Sequence, residues 1–146
     1  MTHQLIHDKI QLKELVDRIS VLGDQKDFTS QVRLFTEHAV SETIAGSKTV
    51  LRVQGRERMA NAFAELLKDV ETVYHGNGQQ VLSVQGDHAA GICYCLITLT
   101  GTEEGKKIMT TIGATYQDDY IRINNQWFVE KRVGTFAWQN KIEMIS

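Results

Sequence analysis

The chain contains no proline and only two cysteines, and it carries neither a block of like charge nor a long apolar run. No low-complexity segment, repeat or linker interrupts it. Its 146 residues therefore suit one domain, 1–146, long enough to bury a sizeable core. Sixteen Lys and Arg against eighteen Asp and Glu give a net charge of −2. Without a basic excess or a Lys/Arg run, the electrostatic footprint of a nucleic-acid binder is missing. No apolar stretch approaches the ~20 residues a membrane helix needs, so no membrane partner is expected. Met1-Thr2-His3-Gln4-Leu5-Ile6 shows no charged leader followed by an apolar stretch. A cytoplasmic location is the expectation. With 42% apolar and 23% charged residues the composition matches soluble globular proteins, which excludes wholesale disorder.

Cys93 and Cys95 stand two apart in an apolar run. On a strand they face the same way, about 6.5–7 Å apart, at or beyond the usual span of a disulfide. No further soft ligands follow at zinc-finger spacing, so buried reduced thiols are expected rather than a metal site. His3 and His7 have a metal-like helical spacing but lie at the terminus and read as solvated, while His38 and His88 fall in predicted turns and should be exposed. Gly76-Asn77-Gly78 lacks the third glycine and following helix of a dinucleotide loop. There is no Gly-x-Ser-x-Gly or Gly-Lys-Ser/Thr motif, and no organic cofactor is implied.

The first half of the chain reads as helical. Leu12, Leu15, Val16, Ile19 and Leu22 recur at helical spacing, with Asp8 as cap and Gly23 as stop. A short second helix should begin at Thr29 or Ser30, with Phe28 stapled to Val32. Ala39–Ala45 and Thr49–Val53 form a hairpin around Gly46-Ser47-Lys48, and a third helix after Gly55 shows Met59, Phe63, Leu66, Leu67 and Val70 on one face. From Thr72 the pattern changes to long strands. Gln79–Gln85 and His88–Thr100 meet at Gly86-Asp87, and Lys106–Ile123 and Gln126–Trp138 meet at Asn124-Asn125. The fold class is α+β, with three N-terminal helices covering one face of a curved, mostly antiparallel sheet. Strands this long predict bulges, placed near Gln117–Asp119. Such a cone has an apolar interior suited to a small molecule.

Several segments together resemble the SnoaL-like proteins of the nuclear transport factor 2-like superfamily. They are Asp24-Gln25-Lys26-Asp27-Phe28, then Leu34-Phe35-Thr36-Glu37-His38-Ala39-Val40, then Gly55-Arg56-Glu57 before the third helix. Tyr74-His75-Gly76-Asn77, Val84-Gln85-Gly86-Asp87-His88-Ala89, the run from Tyr116 to Arg122 and the run from Gln126 to Arg132 continue the pattern in order. The resemblance spans about residues 8–140 and is nearest to scytalone dehydratase-like members. It implies a cone-shaped barrel, dimeric through the outer face of the sheet, holding a small apolar or aromatic metabolite. Relatives of this kind include polyketide cyclases, epoxide hydrolases, ketosteroid isomerase and the small subunits of ring-hydroxylating dioxygenases, beside members that only bind ligands.

The same resemblance implies that Asp24 and His75 are the catalytic pair, with the carboxylate orienting the imidazole and the imidazole moving a proton. From the residues alone, Asp24 also fits a turn and His75 a histidine satisfied beside a glycine-rich bend. Ala114, Tyr116 and Asp118 share one face by strand alternation. Tyr116 could donate to a ligand oxygen, and Arg132 could hold a ligand or pair with Asp118 or Glu130. Leu99 falls where the dehydratase pattern has a second histidine, and Gly23 where it has a tyrosine, so a two-histidine elimination does not carry over. Leu99, Cys95 and Ala114 are expected to line the pocket with Tyr116 and Arg132. Trp127, Phe136 and Trp138 are assigned to sheet packing or dimer contacts. The resulting expectation is lyase, hydrolase or isomerase chemistry on a ring-containing metabolite. The alternatives are a non-catalytic binding protein and an assembly subunit of an oxygenase.

Overall fold

Residues 2–145 are described by the structure, a computed structural model. Helix α1 (His3–Asp24) turns Leu12, Leu15, Val16 and Ile19 to one side, where all four are buried. It starts earlier than the expected Asp8 cap because Thr2 takes that role, its hydroxyl accepting from the Leu5 backbone N–H at 3.1 Å. Asp8 lies inside the helix, 3% exposed. Its Oδ1 accepts from Arg122 Nη1 at 2.6 Å and from Trp127 Nε1 at 3.4 Å, so it ties helix to sheet.

Asp27 caps α2 (Phe28–Gln31) by accepting from the Ser30 backbone N–H at 3.1 Å. Phe28 is therefore within the helix rather than before it. Its ring meets Phe63 edge-on, with centroids 6.4 Å apart. A 3₁₀ turn, Val32–Leu34, leads into β1 (Phe35–Ala45), which pairs with β2 (Lys48–Gln54) through Gly46-Ser47. Both turn residues have positive φ, +58° and +63°, as a two-residue hairpin of this twist requires. Gly55, at φ +91°, then opens α3 (Arg56–Leu66).

Four long strands follow: β3 (Thr72–Gln85), β4 (His88–Glu103), β5 (Lys106–Ile123) and β6 (Gln126–Glu143). Strand β3 begins well before the expected Gln79. Gly76 and Asn77 do not form a bend but pair with Leu96 and Cys95, and the ladder shifts register between Asn77 and Gln80. His38 and His88, expected in turns, lie on strands and are exposed as expected.

The six strands form one sheet in the order β2-β1-β6-β5-β4-β3, antiparallel except where β1 runs parallel to β6. Register shifts at Gly113/Ala114 and Asp119/Tyr120 break the β5–β6 ladder, the second directly after the segment where bulges were expected. The three helices cover the concave face, giving the expected α+β architecture. Two apolar clusters fill the space between. The larger joins α1, the 3₁₀ turn and α3 to Cys93, Tyr120, Trp127 and Val129; the smaller consists of Cys95, Ile97, Ile112 and Ala114. Among the described residues no helix is long and apolar enough to cross a membrane.

Candidate functional site

A cavity of about 300 Å³ opens between the helices and the concave face of the sheet. Its walls are mainly apolar, with Phe28, Phe35, Phe63, Val73, Ile112 and Phe136 among them. Polar side chains interrupt this lining in two places. Gln31 and His75 lie beside the end of α1, and Ser41, Tyr116 and Arg132 lie where β1, β5 and β6 adjoin.

Asp24 ends α1, and His75 sits on β3 opposite Ile97. The Asp24 carboxylate accepts the His75 backbone N–H at 3.1 Å and meets the His75 ring Nδ1 at 2.6 Å. Main chain and ring are thus held by one carboxylate, which fixes the imidazole on the cavity wall. An ionised carboxylate only accepts, so Nδ1 carries the proton and Nε2 is left as the acceptor of the neutral ring. Asp24 itself stands behind His75, outside the lining. The sequence-predicted pair is therefore brought together, with only the histidine facing the cavity.

Tyr116 and Arg132 form the second polar group. Arg132 donates Nε to Asp118 Oδ1 at 2.8 Å and Nη2 to Asp118 Oδ2 at 3.0 Å. This two-pronged pair is buried, and Tyr120 donates its hydroxyl to the same carboxylate at 3.1 Å. Burial acts against the Arg132 charge, but the Asp118 carboxylate overrides it and raises the guanidinium above its ordinary value. The positive charge is thus answered within the chain. The Arg132 guanidinium lies 4.1 Å from the centre of the Tyr116 ring. Gly134 makes room for that ring, since a Cβ there would come within 2.9 Å of Tyr116 Cε1. Burial holds the Tyr116 hydroxyl well above the usual range, so it can donate a hydrogen bond but does not serve as a base.

Leu99 lines the cavity as expected. Cys95 and Ala114 do not: their short side chains end in the smaller apolar cluster, beneath the lining residues Ile97, Ile112 and Tyr116. Burial pushes the Cys95 thiol up to about 12 and raises Cys93 as well, so both stay protonated and unreactive. Phe136, assigned to packing from the sequence, is part of the cavity wall, whereas Trp127 is in the core and Trp138 lies exposed. Gln31 carries no signal in the sequence, because a single-turn helix has no periodicity to show which side chain faces inward. Among the described residues no group of three or more His, Cys, Asp or Glu could hold a metal ion.

The fold that carries this cavity has counterparts among known proteins. Residues 4–133 match the SnoaL-like domain family. The uncharacterized protein Rv2910c of Mycobacterium tuberculosis is 23% identical over 135 residues, which is 92% of this chain and 88% of that protein. A candidate scytalone dehydratase from Novosphingobium aromaticivorans superposes with a TM-score of 0.84 at 15% identity, over 100% of this chain and 95% of the other. The hexachlorocyclohexane dehydrochlorinase LinA-type3 from Novosphingobium barchaimii does so with 0.78 at 16% identity, over 94% and 91%. At such identities the two structures establish a shared fold, that of the nuclear transport factor 2-like cone. With the match running through nearly the whole chain, the protein belongs to the SnoaL-like family.

Proposed function

We propose that the protein is an enzyme that needs no organic cofactor and performs acid/base chemistry on a small apolar, ring-containing metabolite. The observation that carries this is the 2.6 Å contact between Asp24 and His75 Nδ1, which leaves Nε2 as the free ring nitrogen on a mainly apolar cavity wall. Nε2 would take a proton from the ligand. The imidazolium so formed is stabilised by Asp24, and the same nitrogen can return the proton to another atom of the ligand or to a leaving group. Tyr116 and Arg132 would orient the ligand from the opposite polar group, Tyr116 through its neutral hydroxyl and Arg132 through Nη1, which the Asp118 pair does not engage. Elimination, hydrolysis and isomerisation all use these steps.

A substrate screen with chloro-, hydroxy- and keto-substituted ring compounds tests the assignment. His75→Ala should lower turnover of any substrate found by about 10²–10⁴, the usual worth of a positioned proton-transfer group. Asp24→Asn should lower it less, because Nδ1 keeps a partner but loses the charge that stabilises the imidazolium. Full turnover in His75→Ala would overturn the proposal. The presence of Leu99 on the wall favours one second reading, a non-catalytic receptor for an apolar metabolite, because the apolar side chain supplies no additional proton donor. A ligand recovered unchanged, bound equally well by wild type and His75→Ala, would support that reading instead.

We also propose that the outer face of the sheet pairs with a second copy of the chain. Tyr94, Leu96 and Trp138 lie together there, each at least half exposed, beside Gly76 and Gly113.

A further inference from the structure

We propose that Gln31 selects ligands bearing a neutral hydroxyl group, its side-chain Oε1 accepting a hydrogen bond from that hydroxyl beside His75. This deepens the preceding assignment and rests on the cavity being a small-molecule site. Gln31 is the last residue of α2, is only 9% exposed, and lines the cavity. Its Nε2 donates to the Ile19 carbonyl at 3.0 Å. That bond fixes which way round the amide lies, because the reverse orientation would set two oxygens against each other. Oε1 is therefore the group left over, and it is buried with no hydrogen-bond partner. Oε1 is closed to water in this conformation, although Gln31 contributes to the cavity lining. Buried acceptors are nearly always satisfied, and a ligand donor at that lining would satisfy this one once the amide turns slightly toward it.

The surroundings say which donor fits. A Cβ on Gly23 would lie 2.8 Å from Gln31 Nε2 and 3.7 Å from His75 Cε1, so the amide and the imidazole converge over the glycine. The nearby Ser20 hydroxyl is engaged with Asn77, at 3.0 and 3.3 Å, and does not compete for this position. An anion is disfavoured: an amide oxygen repels it, and the charge of Arg132 is already met by Asp118. A phenol or an alicyclic alcohol satisfies both the apolar walls and the single acceptor. With its hydroxyl on Gln31, the ring atoms next to that hydroxyl are brought toward His75. Gln31 would thus choose both the ligand and the ring position offered to the base.

Calorimetric titration with 2-naphthol and 2-methoxynaphthalene tests this, the pair differing in the donor while keeping the ring and the oxygen. Wild type should bind 2-naphthol about tenfold more tightly, as expected for one buried hydrogen bond. Gln31→Met should bind the two equally, with the methoxy compound held as in wild type. A preference that survives in Gln31→Met would assign the hydroxyl to His75 or another acceptor and overturn the proposal, as would equal binding by wild type. Failure of both compounds and of naphthalene to bind wild type would overturn the small-molecule reading of the cavity itself. Should Gln31→Met not fold, nitrogen-15 spectra of wild type decide the matter. The Gln31 side-chain amide signals should move with 2-naphthol and not with 2-methoxynaphthalene, and equal or absent movement overturns the proposal.

Discussion

Asp118 and Arg132 show how a single contact decides what the cavity can bind. Both are almost fully buried, and the two hydrogen bonds between them neutralise the positive charge on the cavity lining. Removing one partner strands the other in a low-dielectric interior, which is more costly than never having had the pair. Asp118→Leu should therefore lose about 3–5 kcal/mol of stability in urea unfolding, and Asp118→Leu with Arg132→Met should recover most of it. A loss of no more than about 1 kcal/mol in the single variant would mean that water reaches Arg132 and screens it. This pairing was legible only in part: strand alternation puts Asp118 on the face of Tyr116, but the sequence left Arg132 open to Asp118, Glu130 or a ligand, and the register of β5 against β6 decides for Asp118. Asp8 was not legible: an acid ahead of an apolar helical stripe looks like a cap, and its true partner Arg122 lies 114 residues away. The orphaned oxygen of Gln31 was equally hidden, since it depends on where the Ile19 carbonyl falls in space.

Between elements, Lys26 joins the exit of α1 to the end of α3. Its backbone adopts φ +56°, and its Nζ donates to the Leu67 carbonyl at 3.0 Å and to the Val70 carbonyl. A cation at this place adds a donor to the carbonyls just past the end of α3, that of Leu67 already accepting the Val70 N–H at 3.1 Å, and opposes the negative end of the helix dipole. These two helices carry part of the cavity wall, so their spacing sets its width. Lys26→Met keeps the stem but removes the donor, and should lower stability by about 1.5–3 kcal/mol, the range for hydrogen bonds to a charged group. Hydrogen exchange should quicken at the amides of Leu67 and Val70 and stay slow in the centre of β5; unchanged exchange at both would mean the lysine is not what holds the helix end. Element boundaries were legible where turn chemistry brackets them, as in β5, whose ends were read correctly between its two flanking turns. They failed at β3, where Gly76 and Gly78 weaken the local preference for strand and pairing with β4 restores it. The parallel pairing of β1 with β6 had no local signal at all, because it joins the two ends of the sheet-forming sequence.

At the scale of the whole molecule, covering one face of a sheet with helices leaves the other face to something else. The outer surface carries Tyr94 and Leu96 on β4 and Trp138 on β6, with β5 between them. Close approach is built in: the Trp138 ring lies over Gly113, where a Cβ would come within 2.3 Å of it, so the indole is laid along the sheet. A flat aromatic and aliphatic surface of this kind is costly to leave in water and suits a twofold interface, in which the same patch meets its own copy. Wild type should sediment at twice the 16.5 kDa of one chain. Leu96→Glu would place a carboxylate against its symmetry mate in an apolar setting and should shift the sedimenting species to one chain at micromolar concentration. Ile10→Glu is the control, since Ile10 is also exposed but lies on α1, on the opposite side of the sheet. Loss of the dimer in both variants would point to general destabilisation, and a wild type that sediments as a single chain would remove the proposed interface. Because the Asp24–His75 contact and the Gln31 amide are built within one chain on the concave side, a monomeric Leu96→Glu should still bind 2-naphthol as wild type does. Retained binding would separate assembly from recognition, whereas parallel loss of both would mean that the sheet keeps its curvature only when paired.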